Sequence, residues 1–430
     1  MVYLFILIML LLSLIFFLKT LGIRRLVLHP ATYFFLIWIV SVLSEWLFDS
    51  MNLVPIVDRR YINELLLYVG FTAFCFVCVL YCDKKNINNI NVSFDKFIGN
   101  ISVFKILTVL YLVSIVADFI INGRSLNMAE NRAVMGESNN MAILKIIQSF
   151  GFLLQIISGY LFAERYLNKR DYSISYFWII LPMVVGLFSG VLIGGRNPII
   201  LMMKNVLVGI GFSILYLKSK TQIRKFIIGG VLLLLVFSMF STFVDDQRGD
   251  LANRSSFSEN FDNDILKSVS GLMHYTTAHY VGYQYRRIDY VDENNLLYGA
   301  ATFYGLGNFK MPLFPLSFNI WKLFTDYTPK ELYFELQYDY YYTTNSIYLS
   351  LMKDFGRFGM LFVIFLLVVI TQRTYSALLA YRGENLLTLF LYLLLFSYWS
   401  SSNFDSSFAG PVYMTIFLPL LLYNCLKKCR

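Results

Sequence analysis

Apolar residues run together in blocks along most of this chain, and polar residues collect in the short gaps between the blocks. A block of roughly 20 apolar residues is the length of helix that crosses a bilayer core, where every backbone amide must find its partner within the helix. The pattern predicts about eleven spans. They fall near Val2 to Leu18, Ala31 to Phe48, Ile62 to Cys82, Val103 to Ile121, Ala142 to Ala163, Tyr176 to Ile193, Pro198 to Leu217, Phe226 to Val244, Phe358 to Thr371, Leu386 to Trp399 and Gly410 to Leu422. No polar linker divides the series, so residues 1–430 read as one all-α integral membrane domain. The exception is the stretch from Asp245 to about Asn345, mixed and rich in aromatic residues. It is too aromatic to be disordered, and short helices lying on the membrane surface are expected there.

No basic residue precedes the first block and no small-residue cleavage site follows it, while Lys19, Arg24 and Arg25 lie just beyond. It reads as an anchor with its N-terminus outside. Counting Lys and Arg on alternate connections agrees, because short cytoplasmic loops collect positive charge. One set carries Lys84, Lys85, Lys96, Arg165, Lys169, Arg170, Lys218, Lys220, Arg224 and Lys225 besides the first three. The short connections of the other set carry only Arg59, Arg60, Arg124, Arg132 and Arg196. The 245–345 connection is then expected outside and the C-terminus inside.

Composition sharpens this picture. Residues are 57% hydrophobic and only 15% charged, against about 25% charged in soluble domains, which excludes an ordinary soluble enzyme. The net charge of +9 has a topological explanation, so no nucleic-acid partner is expected. Cys75, Cys78 and Cys82 share one apolar block. A thiolate pair there would be costly, so they read as packing residues.

Candidate chemistry gathers on the predicted outer side. Gly194-Gly195-Arg196-Asn197-Pro198 forms a tight turn in which Asn197 suits an N-cap and Pro198 the first helical position. Free helix amides beside Arg196 suit a phosphate or diphosphate; an arginine snorkelling to lipid headgroups is the alternative. Arg248, Arg254, Arg286 and Arg287 follow on the same side, and Arg132 lies in an earlier external loop. Guanidinium groups grip phosphate bidentately. His274 and His279 lie among tyrosines, where an imidazole either takes a proton from a hydroxyl or packs as a hydrogen-bonded core residue. Tyr338 to Asn345, with Tyr341 and Asn345, offers aromatic faces and an amide suited to sugar rings or to an interfacial belt. Glu45 and Asp118 stand near the outer ends of spans, where carboxylates are costly and either functional or paired with an arginine. No phosphate loop and no His-Glu-x-x-His occurs, and only His29, His274 and His279 exist. No metal or cofactor is therefore expected. Asp262-Asn263-Asp264 matches the short acidic motif of metal-dependent glycosyltransferases but reads better as a solvated loop.

Taken with Gly195-Arg196 after the sixth span, the late external loop, and Thr344-Asn345 leading to Asp354-Phe355-Gly356-Arg357-Phe358-Gly359, the chain resembles the Wzy-type O-antigen polymerases. These are bacterial oligosaccharide repeat-unit polymerases. The resemblance covers most of the length. It implies glycosyl transfer between undecaprenyl-diphosphate-linked oligosaccharides, as donor and acceptor, at the outer face of the bacterial inner membrane. Membrane lipids and a chain-length regulator are the other partners it suggests. By the resemblance, Arg196 and Arg248 hold the diphosphate and His279 is the base. Arg132, Arg286, Arg287, His274, Tyr341, Asn345 and Arg357 are the expected substrate-binding residues. An O-antigen ligase and a polysaccharide flippase or exporter are the competing readings.

Overall fold

The computed structural model describes residues 2–51, 58–84, 92–123, 142–170, 172–193, 196–215, 277, 279–280, 282–284, 287, 295–310, 317–325, 346–381, 385–402 and 413–427. Helices α1 (Val2–Leu26), α2 (Pro30–Ser50) and α3 (Arg59–Asp83) are followed by a short α4 (Phe94–Ile98) and then α5 (Ile101–Ile121). Next come α6 (Ala142–Leu167), α7 (Tyr176–Ile193) and α8 (Arg196–Ile214). After the one-turn α9 (Tyr304–Gly307), strands β1 (Asn308–Lys310) and β2 (Ser317–Asn319) pair antiparallel with Phe309 opposite Phe318. A 3-10 turn (Ile320–Leu323) precedes α10 (Ile347–Leu379) and α11 (Leu386–Ser400). A π-helical turn (Tyr413–Phe417) leads into α12 (Leu418–Leu426).

Six of these helices, α1, α2, α3, α5, α6 and α10, are long and apolar enough to cross a membrane. Helices α7, α8, α11 and the segment Thr415–Leu426 are apolar but shorter. The predicted span near Phe226 to Val244 lies outside the described residues. Boundaries shift where backbone chemistry intervenes. Helix α8 begins at Arg196, so Asn197 and Pro198 stand inside its first turn instead of capping it. A proline is tolerated there because the first-turn amides have no partner within the helix anyway. The predicted span at Phe358 is only part of α10, whose 33 residues are broken at Gly356. With φ +65° there, the chain takes a left-handed step open to glycine at little cost.

The helices pack mainly in sequence order. Helix α1 lies against α2 and α3, α5 against α6 and α7, and α6 along α8, while α10 joins α3 to α11 and α11 returns to α2. Two close approaches depend on missing side chains. A Cβ at Gly159 of α6 would fall on the backbone of Val206, and one at Gly209 of α8 on that of Ile156. Small residues let helix backbones meet when lipid supplies no hydrophobic drive to pack. Outward-facing Phe5 and Leu12 of α1, Phe74 of α3, Ile106 of α5 and Phe362 of α10 are exposed although apolar, as a lipid-facing surface requires. Polar ties cross the interior: Thr72 with Tyr348 at 2.9 Å, and Trp399 donating to Thr371 at 2.7 Å.

The long connection is tied to the start of α10. Asp354, buried, accepts from the amides of Ala301 at 2.9 Å and Thr302 at 2.6 Å. The amides of Leu297 and Tyr298 donate to the carbonyls of Lys353 and Asp354. Beyond this turn Leu323 and Phe324 are exposed, whereas His279, Tyr280, Tyr283, Gln284 and Arg287 are buried.

Candidate functional site

Helices α2 and α3 meet at one end of the bundle, where Ser50 ends the first and Arg59 begins the second. Asp58 caps α3 by accepting from the Arg60 amide at 2.8 Å. The Arg60 guanidinium also bonds this carboxyl and holds it below the usual carboxylate range. Arg59 reaches back to Asp49 of α2 at 3.0 Å.

Into this corner come His279, Tyr280, Tyr283, Gln284 and Arg287, all in helical conformation. His279 is fully buried, with Nε2 3.2 Å from the Ser41 hydroxyl and its ring edge-on to Trp38 at 5.0 Å. Ser41 lies nine residues before the end of α2, about 14 Å along the axis. His279 is thus inserted into the bundle. Five residues on, Gln284 accepts from the Asp58 amide at 3.0 Å, and Arg287 then lies 3.6 Å from Glu64. His279 and Tyr280 pack on Trp38 of α2, while Gln284 bonds both the Asp58 amide at the start of α3 and the Tyr280 carbonyl one turn back.

Glu64 is the focus of the site. Its carboxylate accepts from the Tyr68 hydroxyl at 2.7 Å and lies 3.3 Å from Arg357 and 3.6 Å from Arg287. Arg287 is buried and Arg357 half exposed. A cavity of about 540 Å³ opens here, lined by Arg60, Tyr61, Asn63, Glu64, Leu67, Tyr68 and Arg357. The Gly356 step turns α10 just before Arg357, while Asp354 fixes the loop on the other side. The Asp354-Phe355-Gly356-Arg357 stretch thus has three working parts: an anchor, a bend and a cation.

No family model, no curated protein and no solved structure matches this chain. The site is therefore read from its own geometry. Of the residues singled out in the sequence, the structure brings Arg287 and Arg357 together on Glu64 and puts His279 on the same inserted segment. Arg196 is placed only by its backbone, in the first turn of α8. Arg132, Arg248, Arg286, His274, Tyr341 and Asn345 lie outside the described residues, as does Asp262-Asn263-Asp264. His29 caps α2 at its far end, with Nδ1 accepting from the Ala31 amide, and its other nitrogen is 3.0 Å from Gln372. Twelve residues of α2 separate it from Ser41, about 18 Å, so His29 and His279 share no site. Asp118 accepts from Asn122 within α5. Glu45 is fully buried, and neither of its oxygens has a hydrogen-bond partner among the described residues. Cys75 is buried and Cys78 half-buried, both as free thiols, consistent with packing.

Glu64, Tyr68 and Asn63 were missed in the sequence. The available signal was a carboxylate one turn inside an apolar helix with a tyrosine four residues on, neighbours on one helix face.

Proposed function

We propose that this chain is a membrane glycosyltransferase that joins lipid-diphosphate-linked oligosaccharides into a polysaccharide, as the resemblance to Wzy-type polymerases suggests. The observation that carries the reading is a cavity of about 540 Å³ whose wall carries Arg60, Arg357, Glu64 and two tyrosines, with the buried Arg287 3.6 Å from Glu64. Paired guanidiniums suit a diphosphate, and flat aromatic faces beside an amide suit sugars. In this reading the chain has about eleven spans and lies in a bacterial inner membrane. The N-terminus and the cavity face the periplasm, and the C-terminus faces the cytoplasm.

The chemistry has three parts. The bond from the donor's anomeric carbon to the diphosphate breaks, and its electron pair leaves with the phosphate oxygen. Arg357 and Arg60 on the cavity wall stabilise that charge, a contribution of several kcal/mol in a poorly hydrated site, while Arg287 holds Glu64 from the buried side. The acceptor hydroxyl bonds to the same carbon and passes its proton to a carboxylate on the cavity wall, Glu64. In this reading His279, sealed from solvent against Trp38 and Ser41, is a positioning residue that seats its helical segment against α2, and Glu64 takes the place of the base.

Deletion of the gene tests the reading. A polymerase mutant still caps its surface lipid with one repeat unit, whereas a ligase or flippase mutant caps none. Restoring the gene as Arg357→Lys, which keeps the charge and loses the planar fork, should shorten the polymer with the protein still inserted. Surface lipid without any repeat unit in the deletion strain would exclude polymerisation.

A further inference from the structure

A second cavity, of about 270 Å³, opens on the neighbouring face of α3, and Asn63 lines both. Its walls include Tyr3, Trp46, Asp49 and Arg59. We propose that this smaller cavity seats one sugar ring, that of the acceptor oligosaccharide bearing the attacking hydroxyl; the assignment rests on the polymerase reading.

Four features point to a neutral, hydroxyl-rich ring. First, Trp46 is 42% exposed yet stands apart from the lipid-facing side of α2. Exposed Leu36, Val40, Leu43 and Leu47 mark that side, and at 100° per residue Trp46 lies about 90° around the helix from their centre. Its ring is a flat apolar face on the cavity rather than part of that stripe, and such a face packs against the C–H face of a pyranose. Second, Asp49 is bonded to Arg59 at 3.0 Å. The two charges cancel, so this cavity suits a neutral ligand, unlike its arginine-lined neighbour. Third, the same pair offers an acceptor and a donor held in place, and Asn63 adds both kinds of group. Adjacent hydroxyls on a sugar ring need that mixture. Fourth, the volume is half that of the larger cavity, a size for one ring rather than an oligosaccharide. Because Asn63 belongs to both walls, a ring held in the smaller cavity has its edge at the larger one, where the donor's diphosphate would be.

The polyol chemistry is shared with glycerol-bearing lipid headgroups, so the test uses nanodiscs made of phosphatidylethanolamine alone. The probe is the repeat-unit oligosaccharide released from its lipid by mild acid, which keeps the sugars and lacks the diphosphate. Binding is read by saturation-transfer NMR, with inorganic diphosphate as a second ligand. Trp46→Ala and Asp49→Asn should each weaken oligosaccharide binding roughly ten-fold, the size of one good contact. Trp46→Phe should restore most of it. Inorganic diphosphate should bind Trp46→Ala as it binds the wild type, which also shows that the variant is folded, and should be lost from Arg357→Ala. Wild-type oligosaccharide affinity in Trp46→Ala, with diphosphate binding intact, overturns the sugar subsite and marks Trp46 as a headgroup anchor; the polymerase reading then stands. Failure of the wild-type protein to bind either ligand overturns that reading and the subsite with it.

Discussion

Glu64 carries two guanidiniums of unequal burial, and this inequality sets what each contributes. Arg287 is only 7% exposed, whereas Arg357 is 51% exposed. Truncating a buried ion-pair partner strands a charge and costs about 3 kcal/mol, whereas an exposed partner is screened by water and contributes less than about 1 kcal/mol. Arg287→Ala should therefore lower the thermal unfolding midpoint in detergent well below that of Arg357→Ala. Equal midpoints would show that the burial of Arg287 has no energetic weight. The arginines themselves were legible in the sequence, since a guanidinium beside apolar blocks has few uses. Their shared partner was not, because Glu64 and Arg287 are separated by most of the chain and no local pattern reports such a pairing. His279 was legible as a candidate by residue type alone. Its seal against Trp38 and Ser41 depends on tertiary packing, which no local pattern reports.

At the scale of elements, the apolar blocks translated well into helices, because in lipid a helix satisfies its own backbone and little else does. Their meeting faces were harder to read. The contact between α6 and α8 runs through Gly159 and Gly209, two glycines among many in apolar blocks, and only the docked pair shows which ones lie at the crossing. Gly209→Leu would drive a side chain into the backbone of Ile156. The variant should insert into the membrane but leave size-exclusion chromatography mostly as aggregate, and a wild-type elution profile would mean that α6 and α8 tolerate separation. The break in α10 at Gly356 was equally hidden, since Asp354-Phe355-Gly356-Arg357 reads in sequence as the opening of an ordinary span. The inserted segment did carry a signal, since its buried Tyr280, Tyr283, Gln284 and Arg287 recur at helical spacing, but its partners on α2 and α3 are remote in sequence.

For the whole molecule, the arrangement of charge makes a prediction that side-chain packing does not. The α2–α3 end is expected outside and the opposite end, which carries Lys169 and Arg170 after α6, inside. In a variant lacking the native cysteines, Ser50→Cys should react with a membrane-impermeant maleimide on intact spheroplasts. Lys169→Cys should react only after the membrane is opened. The reverse result would put the arginine cavity in the cytoplasm, away from any periplasmic substrate. A consequence for assembly follows from the way Leu297, Tyr298, Ala301 and Thr302 are held. Helices α2 and α3 emerge early from the ribosome, but the carboxylate that clasps the Ala301 and Thr302 amides is Asp354 of α10. The clasp cannot close until α10 has been synthesised and handed to the bilayer. Docking of this turn is thus expected late in biogenesis, and nascent chains released before α10 should leave Ala301 and Thr302 open to protease while the first helices are already threaded and protected.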